Sequence, residues 1–207
     1  MALLEADIRL SKLGRCVLTT RDAAAILSVT IPAAAMTLLR LNRAGRVLRL
    51  TRGRWAIPDE LDPLAVPEHL TAPWPSYVSL QTALYRHGMI SQIPVVTYAV
   101  SLARTRRWPT PLGVFSIHHI GPDFFFGFDT VGRSLVKLAT PEKALLDIFY
   151  LSPAKSGLFR KLPELELPRK KFSVQKAREM AARIRSPSRR TLVITQLEQA
   201  LEKTRRG

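Results

Sequence analysis

The stretch Thr30-Ile31-Pro32-Ala33-Ala34-Ala35-Met36-Thr37-Leu38-Leu39-Arg40-Leu41-Asn42-Arg43-Ala44-Gly45 decides how the N-terminal part of this chain is read. Thr30 is a cap, Pro32 is tolerated in a first turn, and Gly45 ends the helix where a left-handed residue is cheap. At 100° per residue, Ile31, Ala34, Leu38 and Leu41 fall within a stripe of about 80°, which predicts a core-facing side. The opposite side carries Ala33, Met36, Arg40 and Arg43. Apolar groups can touch thymine methyls, and guanidinium groups can grip guanine or phosphate. That face therefore suits a helix lying in a DNA major groove.

Working outward, Thr19 followed by Asp22 approximates a capping box for a short helix through Ala23-Ala24-Ala25-Ile26-Leu27. A turn at Ser28-Val29-Thr30 joins the two helices. Before them, Leu3 to Leu13 spaces Leu3, Leu4, Ile8 and Leu10 around one helix. After them, the runs Arg46–Leu50 and Arg54–Ile57 flank a Gly53-containing turn and predict a hairpin. Six arginines lie between positions 40 and 54: Arg40, Arg43, Arg46, Arg49, Arg52 and Arg54. Three helices and a basic hairpin predict a winged helix–turn–helix over residues 1–58. Thr30, Ala33, Met36, Thr37 and the six arginines are its candidate DNA contacts.

Charge is segregated along the 207 residues. Residues 1–58 hold ten basic and three acidic side chains, residues 59–152 seven and eight, and residues 153–207 fifteen and five. Both ends are thus basic around a near-neutral centre, and the whole carries net +16. An excess of that size points to polyanionic partners. Five of the fifteen prolines fall between Pro58 and Pro75, so residues 59–75 are expected to form an extended connector.

Residues 76–207 predict a mixed α+β domain ending in helices, giving the whole chain an α+β class. A helix is expected from Tyr77 to Tyr85, strands at Val95–Val100, Val114–Ile120, Phe124–Phe128 and Ser134–Leu138, and further helices beyond residue 172. The best-signalled helix begins at Thr140 as cap, Pro141 at its first position and Glu142 near its positive end, with Ala144, Leu145, Ile148 and Phe149 inward. Arg169, Lys170, Lys171, Arg189 and Arg190 form a candidate second phosphate-contacting surface, weighed evenly against a solvated helix exterior.

Several classes are disfavoured. No run approaches the ~18 apolar residues of a membrane-spanning helix, and the acidic N-terminus is unlike a secretion signal. One cysteine, Cys16, cannot form an internal disulfide, and a reduced, cytoplasmic location is expected. His118 and His119 are adjacent and would point to opposite faces of a strand. Glu142 and Asp147 lie five apart on different helix faces. No phosphate loop or nucleophile elbow is present, so neither a metal, a cofactor nor an enzymatic activity is expected.

The order of motifs resembles the AbiEi antitoxins of type IV toxin–antitoxin (abortive-infection) systems over nearly the whole chain. The cues are Leu38-x-x-Leu41-x-x-x-Gly45 running into Arg52-Gly53, then Ser79-Leu80-x-x-Ala83-Leu84 with His87-Gly88. The most specific is the block Ala139-Thr140-Pro141-Glu142-Lys143-Ala144-Leu145-Leu146-Asp147, leading into Ile148-Phe149-Tyr150-Leu151. Thr140, Pro141, Glu142, Lys143 and Asp147 are its hallmark positions. The resemblance implies a transcriptional autorepressor that binds inverted repeats in double-stranded DNA of its own promoter. It also implies that the protein counteracts a cognate nucleotidyltransferase-like toxin without forming a stable complex with it. The competing expectation is a protein-interaction module that masks a toxin directly, without sequence-specific DNA binding.

Overall fold

The structure, a computed structural model, describes residues 2–12, 16–132, 134–154, 164–167 and 171–206. The fold is mixed α+β and divides into two compact units. One comprises Met1–Leu70 with Pro109–Gly113, the other Thr71–Trp108 with Val114–Gly207.

The first unit runs α1 (Leu3–Ser11), β1 (Val17–Thr19), α2 (Thr20–Leu27), α3 (Ile31–Arg43), β2 (Leu48–Thr51) and β3 (Arg54–Ala56). The strands form an antiparallel sheet in the order β1-β3-β2, with Val17 opposite Ala56 and Arg49 opposite Trp55. Its core joins Ala6 and Leu10 of α1, Ala23, Ala24 and Leu27 of α2, Ala34, Leu38 and Leu41 of α3, and Val47, Trp55 and Ile57. The alanines matter here because short side chains let three helix backbones approach closely.

Two expectations about inward faces are corrected. Leu3, Leu4 and Ile8 of α1 face outward, and Ala6, Asp7 and Leu10 face inward. An acidic residue takes an interior place because it pairs with an arginine described below. Ile31 is half exposed, so the buried stripe of α3 is Ala34, Leu38 and Leu41 alone.

The proline-rich stretch is not extended throughout. Two 3₁₀ turns, Pro58–Glu60 and Pro63–Ala65, lead into α4 (Val66–Thr71), and Ala65, Val66 and Leu70 are buried. Each turn starts with a proline, whose missing N–H is not needed there. Asp62 caps the second turn by accepting the Leu64 N–H at 2.9 Å.

The remaining elements are β4 (Ser76–Val78), α5 (Leu80–Arg86), β5 (Val96–Ser101), β6 (Arg106–Thr110), β7 (Gly113–His119), β8 (Phe128–Val131), β9 (Val136–Ala139), α6 (Pro141–Leu151), α7 (Val174–Ala182) and α8 (Pro187–Arg206). They belong to the second unit, except that Pro109, Thr110 and Gly113 group with the first. The six-stranded sheet has the order β6-β7-β5-β4-β9-β8. β4 is antiparallel to β5 and parallel to β9, β5 is parallel to β7, and β8 is antiparallel to β9. α6 packs against α5, α7 and α8. Every residue from Glu142 to Phe149 is buried, which marks α6 as the central helix rather than a one-faced surface helix.

Three elements differ from the sequence reading. Residues 76–78 are a strand before α5 instead of its first turn. The phenylalanine run makes a 3₁₀ turn at Pro122–Phe124, and strand geometry begins only at Phe128. Its rings pack on one another and on Tyr77 and Tyr150. Finally, β6 was not expected; Pro109 argues against a strand except at an edge, and β6 is an edge.

Among the described residues, no single helix is long and apolar enough to cross a membrane. α2 and α3 together reach the required length and composition, but the chain bends by 102° between them. Their apolar residues supply the core of the first unit.

Candidate nucleic-acid interface

Caps set the placement of α2 and α3. Thr19 Oγ1 accepts the Asp22 N–H at 3.1 Å, and Asp22 Oδ2 accepts the Thr19 N–H at 2.8 Å, completing the reciprocal box. Ser28 then adopts a left-handed conformation (φ 53°) that stops α2. Two residues later Thr30 caps α3, its hydroxyl accepting the Ala33 N–H at 3.4 Å. Caps of this kind contribute about 1 kcal/mol each. The result is two helices at a steep angle across a three-residue turn.

At the far end of α3, Gly45 sits at φ +71°. The Arg46 N–H reaches back to the Leu41 carbonyl at 2.9 Å and the Gly45 N–H to the Asn42 carbonyl at 3.1 Å, which satisfies two carbonyls of the last turn. Asn42 also accepts the Arg49 N–H at 3.1 Å, which ties the final turn of α3 to the start of the hairpin. Trp55 anchors the hairpin from beneath: its indole N–H donates to Thr20 Oγ1 at 3.0 Å, and the Arg49 guanidinium lies 5.8 Å from its ring centre.

With Ala34, Leu38 and Leu41 inward, Ala33, Met36, Arg40 and Arg43 are all exposed, as is Thr30. Thr37 is half-buried and its hydroxyl donates to the Ala33 carbonyl at 3.0 Å. Arg49 and Arg52 are exposed on the hairpin, and Arg54 is half-buried. Arg46 differs from the rest. Its Nε donates to Asp7 Oδ2 at 2.6 Å, and that hydrogen bond and charge raise its pKa further above the ordinary arginine value. Asp7 is thus a positioning residue for α1 that periodicity did not single out.

Cys16 lies half-buried, its Sγ 4.0 Å from His69 Nε2. Burial lowers the His69 pKa. Among the described residues, no group of three or more His, Cys, Asp or Glu side chains could hold a metal ion.

In the second unit the Thr140–Asp147 block builds an internal polar cluster. Thr140 caps α6 by accepting the Lys143 N–H at 3.4 Å. Glu142 Oε1 accepts the Ser173 N–H at 2.9 Å, and its other oxygen lies 3.6 Å from Lys176 Nζ, so it holds the start of α7. Lys143 and Asp147 form an ion pair with both side chains fully buried. The other carboxylate oxygen of Asp147 accepts from Ser79 Oγ at 2.7 Å and Tyr77 OH at 3.0 Å. The ammonium stands 3.8 Å from the ring centre of Phe124 and 5.5 Å from that of Tyr77. Burial pushes the Lys143 amine down and the Asp147 carboxyl up, and the charge of each opposes the shift of the other. His87 Nε2 donates to the Ala139 carbonyl at 2.7 Å, just before the cap. These contacts clamp β4, α5 and α6 together from inside the unit.

Among the second candidate basic group, Arg169 and Lys170 lie outside the described residues. Lys171 is exposed. Arg189 donates to the Tyr150 carbonyl at 2.7 Å, in the last turn of α6, and Arg190 to the Ile184 carbonyl at 3.4 Å. Both are half-buried and use part of their donor set inside the fold. A basic cluster that sequence reading passed over is Arg104, Arg106 and Arg107, all exposed at or near the β6 edge. Arg106 lies 5.1 Å from the Trp108 ring centre.

No family model matches the chain, and no curated protein matches it.

Proposed function

We propose that the first unit is a winged helix–turn–helix that binds double-stranded DNA, with α3 in the major groove and the β2–β3 hairpin as the wing. The observation that carries this reading is the shared exposure of Arg40 and Arg43 on the face of α3 opposite its core stripe, together with exposed Arg49 and Arg52 on the adjoining hairpin. It is supported by the 102° bend across a three-residue turn, within the range of helix–turn–helix pairs. The Asn42–Arg49 bond, which fixes the hairpin to the end of α3, supports it too.

The wider role follows from the resemblance of the Thr140–Asp147 block and its companion motifs to the AbiEi antitoxins. The protein represses its own operon by binding inverted repeats in the promoter, and it counteracts a nucleotidyltransferase-like toxin encoded beside it. In this reading the second unit serves the antitoxin role, and the Lys143–Asp147 clamp maintains its shape.

Equilibrium binding to the upstream promoter duplex across a salt series tests the DNA-binding reading. Each phosphate neutralised contributes about −0.9 to the slope of log affinity against log salt. Replacing Arg40 and Arg43 together with alanine should flatten that slope by about 0.9 for each of the two that meets a phosphate, and weaken binding at least tenfold. Unchanged affinity overturns the placement of α3. Suppression of toxicity on co-expression with the neighbouring open reading frame tests the antitoxin role separately.

A further inference from the structure

The outward face of α3 is chemically divided along its length. Its first turns present Pro32, Ala33 and Met36, all exposed, and Met36 is 54 % exposed. Its last turns present Arg40 and Arg43. Two hydroxyls lie near the apolar part, and both are engaged locally. Thr37 donates to the Ala33 carbonyl, and Thr30 accepts the Ala33 N–H as the cap. From Ile31 to Leu39 the helix carries no amide, carboxylate, guanidinium or ammonium side chain.

That division restricts what the helix can recognise. In the major groove adenine, guanine and cytosine offer donors and acceptors, and thymine alone adds an apolar group, its C5 methyl. A polar base edge pressed against Met36 and Ala33 would lose its water without gaining a partner, a penalty that a methyl group does not incur. The exposed arginines around this apolar patch match a polyanion that displays methyl groups within a groove.

We infer that Met36, with Ala33 beside it, is a specificity-determining contact that reads thymine C5 methyl groups, while Arg40 supplies a guanine or phosphate contact farther along the groove. This rests on the DNA-binding reading of the first unit. Four residues separate Met36 from Arg40, about 6 Å of helix rise.

The test uses the full chain. Duplexes are selected from a random library at moderate salt, and each thymine of the recovered half-site is replaced in turn with deoxyuridine, which removes only the C5 methyl. At one or two positions the substitution should weaken binding about three- to fivefold, the worth of one buried methyl-sized group. Met36→Ala should bind thymine and deoxyuridine duplexes equally at those positions while keeping the wild-type salt slope. Because Met36 lies outside the buried core, this variant should fold, as far-ultraviolet circular dichroism would verify. If no deoxyuridine position matters, or the discrimination survives in Met36→Ala, the methyl contact is wrong and DNA binding itself stands. If no sequence is enriched and duplex binding has no salt dependence, the underlying reading fails instead.

Discussion

Lys143 and Asp147 face each other one turn apart on α6 as a fully buried ion pair, and Asp147 spends its second oxygen on Tyr77 and Ser79. Breaking a buried pair from one side leaves a charge without water or partner, at a cost of about 3–5 kcal/mol. Lys143→Met and Asp147→Asn should each destabilise the protein by about that much in urea unfolding. The double variant should lose less than the two losses combined, because each single change already breaks the same pair. Strict additivity would show that the two groups are not coupled.

Acid should weaken the fold through His118. Burial lowers its pKa from 6.5 to about 4, and Ser116 Oγ lies 3.0 Å from its Nε2. The unfolded state therefore binds the proton first, and between about pH 6.5 and 4 stability falls as pH falls. The shift corresponds to about 3 kcal/mol across that window. His118→Asn should remove this part of the pH dependence, which unfolding curves at pH 4.5 and 7 would measure. An unchanged slope would mean that His118 titrates alike in both states.

Gly127 should not tolerate a side chain. It sits at φ +77°, and an added Cβ would stand 3.2 Å from three carbons of Lys143. The left-handed backbone alone costs about 1–2 kcal/mol for alanine. Gly127→Ala should lower the midpoint of thermal unfolding by several degrees.

Asp7 is the natural counterion of one arginine in the proposed DNA surface. Asp7→Asn would release the Arg46 guanidinium to a phosphate. The salt slope of duplex binding should then steepen by about 0.9. A slope equal to that of the parent protein would place Arg46 away from the DNA backbone.

The parts of the fold that local chemistry controls were legible in the sequence. Thr19 with Asp22, Thr30 with Pro32, Gly45, and Thr140 with Pro141 announce helix ends by hydrogen-bonding or dihedral needs that involve near neighbours. The α+β class and the exposed Arg40 and Arg43 followed from such signals. What stayed hidden depends on residues distant in the chain. Asp7 looks like a surface acid until Arg46 meets it, 39 positions later. Asp147 and Lys143 look like a solvated helical pair until Tyr77 and Ser79 close over them, about 70 positions earlier. The run around Phe124 has strand propensity, yet ring packing on Tyr150 and Lys143 favours a turn there. Leu4 and Ile8 have helical spacing but no partner surface within the first unit's core, so periodicity alone misplaced their face.

The margin of the larger sheet has a consequence for behaviour at high concentration. An open strand invites a second chain to add alongside it, which is how many proteins begin to aggregate. β6 carries the adjacent guanidinium groups of Arg106 and Arg107, and Pro109 lacks an amide hydrogen to offer an incoming strand. Two such margins brought together would repel each other, so this side of the molecule discourages amyloid-like stacking while leaving its cations free for solvent.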